Sequence, residues 1–377
     1  MKNMKPLDIE ICDVTLRDGE QTPGVSFTCQ EKLDIAHGLD AIGIEVIEAG
    51  FPSVSDSEKE CIKRISHAGL GARICCLSRS IISDVDAAIG CDVDLVSVFF
   101  ATSDLHIKVK YKKTREEMLA QALDAVDHAV DHGLQVRFSA EDGSRTDISF
   151  LKEMFRQGYE HKATYSSLAD TVGCLTPLQT ADMVRELTKD LKNRLCVHFH
   201  NDMGMATANA FTAAECGAFQ LHTTVNGIGE RAGNASLEEL LVALKMKGGV
   251  DRYDLTHLTG LSEMVSKYSG LSLSRTKAVV GENAFSHESG IHIAALLVDS
   301  NTYEYFPPKM VGGEQRFVLG KHTGRKALEH IARTFGCELD DSQMDRVLHD
   351  VKERSEGKCA ITSEVLKELI RNARGTK

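Results

Sequence analysis

The sequence has 377 residues, 42% of them hydrophobic and 26% charged, the balance of a globular chain with room for a large core. Its formal net charge of −11 disfavours nucleic acid or an anionic membrane as partner, so an anionic small molecule must find positive charge locally, in a metal ion or a few placed arginines. No apolar run is long enough to span a bilayer and the start MKNMKPLDIE lacks a signal peptide's apolar stretch, which makes the expected compartment cytoplasmic.

Short β-rich apolar runs alternate with longer stretches of helical periodicity. The predicted strands are residues 9–13, 44–50, 72–78, 94–100, 135–141, 163–170, 195–201 and 218–226. Between them lie helix starts. Thr28 with Glu31 reads as a capping box ahead of a helix to about Ile42, and Thr114 with Glu117 opens another to about His132. Pro177 follows Thr176 at a first helical turn, and Ser236 with Glu239 opens an eighth helix. Eight βα units at about 30-residue spacing imply an α/β fold of the TIM (β/α)8 type; the rival, a doubly wound sheet, would carry an N-terminal glycine fingerprint. Beyond Gly249 the alternation stops. Residues 255–269 read as helical, 281–320 as an irregular His-, Gly- and Pro-bearing stretch, and 320–335, 341–356 and 362–373 as helices. The expected division is a catalytic barrel over 1–249 and a C-terminal helix-rich lid over 250–377. Eleven cysteines lack zinc-type spacing, so reduced, mostly buried thiols are expected.

Active sites of such barrels lie at the carboxyl ends of the strands. There the chain places Arg17, Asp18 and Gln21 after the first strand, Glu48 after the second, Glu141 and Arg145 after the fifth, Asp170 and Thr171 after the sixth, and His198 and His200 at the seventh. Side chains two apart on a strand share a face, so His198 and His200 point together into the mouth. Two imidazoles suit a divalent metal, with Asp18 as carboxylate ligand and open positions for substrate oxygens. Taken alone, an HxH pair is as readily two ordinary strand histidines. Arg17 suits a substrate carboxylate or keto oxygen, or else a salt bridge to Glu48. Glu141 suits a metal-bound water or a substrate proton, or else orients Arg17. Arg145 is a candidate for a second substrate carboxylate or a surface ion pair. The three-glycine stretch 227–234 reads as a ligand loop at a helix start, without the GK[ST] of a P-loop. The segment 285–292, with His287 and His292, is either a surface loop or the source of a general base.

The motifs DVTLRDGEQTPG (13–24), IEAGFP (47–52), FSAEDGSR (138–145), ADTVG (169–173), HFHND (198–202), NGIGERAGNASLEE (226–239) and HESGIH (287–292) resemble the isopropylmalate/homocitrate/citramalate synthase family over nearly the whole chain. The resemblance implies an acyltransferase with a divalent metal, Zn, Mn or Mg, held by Asp18, His198 and His200, with Asn234 close by or ligating. It places Arg17, Gln21, Leu77, Glu141, Arg145 and Thr171 around a 2-oxo acid. It further implies that His292 and Tyr303 are lowered onto the mouth by a neighbouring subunit in a domain-swapped homodimer. The implied reaction is a Claisen condensation: His292, supported by an acid such as Glu288, deprotonates acetyl-CoA, Arg17 and the metal stabilise the oxyanion, and thioester hydrolysis follows.

The chain's length, without the further C-terminal domain common in isopropylmalate synthases, resembles methanogen and nitrogenase-type homocitrate synthases, as does residues 302–312. Leu77 stands where lysine-pathway homocitrate synthases carry a histidine. The favoured 2-oxo acid is 2-oxoglutarate, with 2-oxoisovalerate or pyruvate (an isopropylmalate or citramalate synthase) as runner-up. A lyase of the HMG-CoA type would need a reactive cysteine in the 227–234 loop, which has none. A non-catalytic barrel would have lost the Arg17, Asp18, His198 and His200 set, which is intact.

Overall fold

The computed structural model describes residues 5–375. Eight parallel strands follow one another around a ring that closes where the last pairs with the first. They are β1 (Glu10–Asp13), β2 (Val46–Glu48), β3 (Arg73–Arg79), β4 (Leu95–Ala101), β5 (Gln135–Glu141), β6 (Tyr165–Asp170), β7 (Arg194–Phe199) and β8 (Gln220–Thr223). The fold is the predicted TIM barrel, with helices between the strands. Predicted strands overran where the chain turns at the mouth. β8 stops at Thr223 because residues 225–227 tighten into a 3-10 turn with Asn226 at φ 63°. β7 stops at Phe199, and His200 instead forms a lone bridge with Asn234.

Local chemistry accounts for the helix starts. Thr28/Glu31, Thr114/Glu117 and Thr176/Gln179 each form a reciprocal capping box, opening Cys29–Ile42, Arg115–Asp131 and Pro177–Thr188. Ser236 departs from expectation: its hydroxyl donates to Glu238 Oε2 at 2.5 Å instead of capping Leu237–Met246. Inside the ring Cys12, Val14, Val46, Cys75, Leu95, Tyr165 and Cys196 pack together, a filled centre rather than a pore. All eleven cysteines are free, and six are buried. Among the described residues no helix is long and apolar enough to cross a membrane.

The chain groups into two compact units, one ending at Leu273 and the other starting at Ser274. The first runs past Gly249 because the helix Leu258–Ser269 packs on the barrel. Leu258, Leu261 and Val265 are buried, Leu261 fills the space left by the missing Cβ of Gly38, and the Tyr268 hydroxyl donates to Asp34 at 2.9 Å.

In the second unit the helices Arg325–Thr334, Asp341–Glu356 and Ser363–Arg374 bury Leu328, Val347, Val351, Leu366 and Leu369 against one another. The helix expected from Gly320 starts only at Arg325, because Gly320 N donates to Thr323 Oγ1 in a tight turn and Gly324 serves as cap. The 281–320 stretch is less irregular than expected. Ser286–His287 pairs in parallel with Arg316–Phe317, and Gly290–Leu296 is a short helix with Ile293 and Leu296 buried.

Candidate metal centre and substrate cavity

The alternation of strand side chains builds the site. Asp18 follows β1 in a turn in which its own N–H donates to Val14 O, and β7 presents His198 with His200 two residues on. Asp18 Oδ2 lies 3.6 Å from His198 Nε2 and 3.9 Å from His200 Nε2, and the two Nε2 atoms are 3.3 Å apart. These three residues form a buried group with the spacing of metal ligands. Asn234 Nδ2 donates to Asp18 Oδ1 at 2.8 Å, while its own Oδ1 is buried without a hydrogen-bond partner. His200 Nδ1 faces Gly233 O at 3.3 Å, so a proton there leaves the Nε2 lone pair aimed at Asp18.

Electrostatics prepare the same three groups. Burial opposes ionisation of Asp18, yet Arg17 and then the two imidazoles hold its carboxyl well below the usual carboxylate range. Burial, reinforced by His200, pushes His198 down to about 3, and burial lowers His200 as well. Both imidazoles are therefore neutral near pH 7, as ligands must be. One carboxylate, two imidazoles and an orphaned amide oxygen fit a divalent ion with open positions.

Beside this group opens a cavity of about 280 Å³ lined by residues of all eight strands or the loops that follow them, Arg17, Gln21, Leu77, Glu141 and Thr171 among them. Arg17 does pair with Glu48, Nε to Oε1 at 2.5 Å, and also reaches Asp18 at 2.5 Å and Gln21 at 3.3 Å. It still faces the cavity, so the salt bridge orients the guanidinium instead of withdrawing it. Glu141 does not orient Arg17. Its Oε1 takes Lys110 Nζ at 2.6 Å, and its buried Oε2 has no hydrogen-bond partner. Arg145 is drawn off by Asp142, which accepts from Nε and Nη2 at 2.8 Å each, and it is not among the lining residues. Thr171 lines the cavity while its hydroxyl accepts from Asp142 N at 2.9 Å. In the second unit the His292 and Tyr303 rings stack at 3.9 Å, and Tyr303 is exposed. Glu288 faces the backbone N–H of His322 at 3.4 Å; the rings next to His292 are Tyr303 at 3.9 Å and His287 at 6.5 Å.

The sequence reading missed the cavity floor. Arg137, 1% exposed, donates to Ser97 Oγ at 3.1 Å, to Gln220 Oε1 at 2.8 Å and to the second oxygen of Glu48. Ser97, Ser139 and Ser167 line the same floor, and Arg231, tied to Asp202 at 2.7 Å, joins the rim. The signal was present: Arg137, Ser139 and Glu141 stand two apart on β5, the same rule that was applied to His198 and His200 on β7.

A closed parallel barrel whose mouth carries a buried carboxylate–imidazole group with the spacing of metal ligands, beside a cavity lined by arginines, has the architecture of a TIM-barrel enzyme. Residues 8–265 match the HMGL-like family model and residues 279–358 match "Homocitrate synthase post-HMGL domain-like". The chain belongs to the HMGL-like family. It is 56% identical to homocitrate synthase AksA of Methanosarcina acetivorans, over 98% of this chain and 92% of that protein. It is 45% identical to (R)-citramalate synthase CimA of Methanocaldococcus jannaschii, over 97% of this chain and 75% of that one. A solved hydroxymethylglutaryl-CoA lyase from Pseudomonas aeruginosa, 22% identical, shares the fold with a TM-score of 0.63 over 71% of this chain and 95% of its own. At these identities to synthases the chain is an acyltransferase-type enzyme.

Proposed function

We propose that this acyltransferase condenses acetyl-CoA with 2-oxoglutarate and releases homocitrate and CoA, with Asp18, His198, His200 and the Asn234 oxygen holding a divalent ion. The observation that carries the substrate choice is the polar floor: a buried guanidinium and three serine hydroxyls below the metal group. Arg17 and Arg137 offset Glu48 and Asp18 there, so a divalent ion would add positive charge next to the cavity, which favours an anionic 2-oxo acid such as 2-oxoglutarate. When bound, the ion supplies Lewis-acid polarisation of the 2-oxo carbonyl.

The chain's own residues do the rest. Arg17, fixed by Glu48, donates to the oxygen that gains charge as the new carbon–carbon bond forms, where preorganised donors act most strongly. The floor serines and Arg137 take the distal carboxylate, and Gln21 and Thr171 hold the near end. His292, in ring contact with Tyr303, takes the methyl proton of acetyl-CoA, whose carbon attacks the keto carbon, and the alkoxide so formed takes up a proton from solvent to give the hydroxyl. Water then cleaves the thioester, and CoA leaves as thiol. His292 comes from a second copy in a homodimer in the cytoplasm. Ile291, Val298 and Tyr305, exposed by 78%, 85% and 62% in the second unit, support an apolar contact between copies.

A second reading has its own observation: Leu77 and Phe99 also line the cavity, and an apolar wall suits 2-oxoisovalerate or pyruvate. CoA release measured with acetyl-CoA and a panel of 2-oxo acids, before and after chelation, separates the readings. A preference for 2-oxoisovalerate would overturn the substrate, and undiminished turnover after complete metal removal would overturn the site.

A further inference from the structure

Between β4 and the helix Arg115–Asp131 runs a surface βα loop, coiled into a helical turn over Asp104–His106 and a π-turn over Ile107–Tyr111, whose charge opposes that of the chain. Residues 104–115 carry five cations and a single acid, Asp104, in a protein of net charge −11. Arg115 pairs with that acid at 2.7 Å, and Lys113 Nζ donates to Gln121 at 2.6 Å. Lys108 and Lys112 are exposed and make no ion pair among the described residues. The loop begins at the carboxyl end of a barrel strand, so it stands at the active-site rim. It is also tied to the cavity: Lys110 Nζ lies 2.6 Å from Glu141 Oε1, and Glu141 lines the cavity. Buried Ile107 anchors the turn from below. Between the lysines the chain exposes Val109 by 67% and Tyr111 by 38%, and Leu105 just before them by 55%, so apolar surface alternates with the cations.

We infer that this loop binds the nucleotide end of acetyl-CoA, with Lys108 and Lys112 on its phosphates and Tyr111 and Val109 against the adenine. The inference rests on acetyl-CoA being the acyl donor. Coenzyme A pairs a base with a π-face and a strongly anionic phosphate group, joined to the thioester by a flexible arm. Cations interleaved with exposed apolar side chains beside the reaction cavity match that sequence of chemistries. An acidic protein has to gather the charge for such a ligand in one place.

The experiment uses the full chain loaded with metal. Acetyl-CoA and acetyl-pantetheine, which lacks the phosphorylated nucleotide, are compared as donors for wild type and Lys108→Gln/Lys112→Gln. Circular dichroism checks folding. The expected result is a rise of roughly tenfold in KM for acetyl-CoA, two exposed charges' worth, with the wild-type advantage of acetyl-CoA over acetyl-pantetheine largely lost. A rise of equal factor for both donors, or for neither, overturns the inference. Calorimetric titration with adenosine 3′,5′-bisphosphate needs no turnover: binding to wild type that is weakened in the variant supports the site, and absence of binding to wild type overturns it. Binding of this probe without any acetyl-CoA turnover would place the failure in the assigned reaction, not in the loop.

Discussion

Arg17 Nε lies 2.5 Å from Glu48 Oε1, and the other oxygen of the same carboxylate is taken by Arg137. One fully buried anion thus spaces two guanidiniums, one at the metal group and one on the cavity floor. Arg17 and Arg137 oppose the ionisation penalty of burial and hold the Glu48 carboxyl below its ordinary range. Glu48→Gln keeps the shape and removes the charge, leaving two cations facing each other without their anion. Breaking a buried pair in this way costs about 3–5 kcal/mol. Urea unfolding should register that loss, and kcat/KM for the 2-oxo acid should fall at least a hundredfold. A variant as stable and active as wild type would refute the shared-carboxylate arrangement.

The neutral imidazoles give stability a pH dependence. His198 titrates at about 3 in the metal-free fold and near 6.5 when unfolded. Between those values the unfolded chain holds the extra proton, so this contribution is complete above about pH 6.5 and is lost as pH falls toward 3. For one such group the loss from pH 6.5 to 5 is about 2 kcal/mol. Urea midpoints of metal-free protein at pH 5, 6 and 7 should fall on acidification. In His198→Gln the slope should be shallower by about one proton. An unchanged slope would show that this imidazole is not held neutral.

The barrel was legible because each βα unit repeats the same two periodicities, and helix starts carried readable signals: the capping pairs Thr28/Glu31 and Thr114/Glu117, and Pro177 after Thr176. Asp18, His198 and His200 were legible because metal ligation needs few residue types at strand ends. What sequence left open was pairing across strands. Whether Glu141 takes Arg17 or Lys110, and whether Arg145 meets a ligand or Asp142, depends on barrel geometry rather than on neighbours in the chain. Arg137 escaped attention because a charge in the middle of an apolar strand reads as a break in the pattern until its partners on β1, β2, β4 and β8 are in place.

Gly229 shows how tightly the metal group is built. At φ 155° an added Cβ would stand 2.1 Å from Asn234 Nδ2 and 2.7 Å from Asp18 Oδ1. Neither neighbour has room to retreat, since both are buried. Gly229→Ala should therefore push the two apart and weaken metal binding by 10–100-fold, the range for displaced supporting contacts around a metal. His200→Ala should abolish metal retention and turnover outright while the barrel stays folded. Metal content after dialysis, read beside circular dichroism, checks both; Gly229→Ala with wild-type metal content would contradict the crowding.

Under the proposed reaction, the floor serines would favour a substrate that ends in a carboxylate over one that ends in methyl groups. Ser139 Oγ lies 3.0 Å from Ser97 Oγ, and Ser97 also accepts from Arg137. A carboxylate arriving there gains charge-assisted hydrogen bonds, whereas an isopropyl group leaves the same hydroxyls and guanidinium without a ligand partner. Removing one donor from a charged ligand costs about 1.5–3 kcal/mol. Ser139→Ala should thus raise KM for 2-oxoglutarate by roughly 10–100-fold and change that for pyruvate, which does not reach the floor, by less than about threefold. Steady-state kinetics with both acids measures the ratio. If KM for 2-oxoglutarate stays at the wild-type value while the variant gains nothing with 2-oxoisovalerate, the distal carboxylate is bound elsewhere and the polar floor is a structural network of the barrel alone.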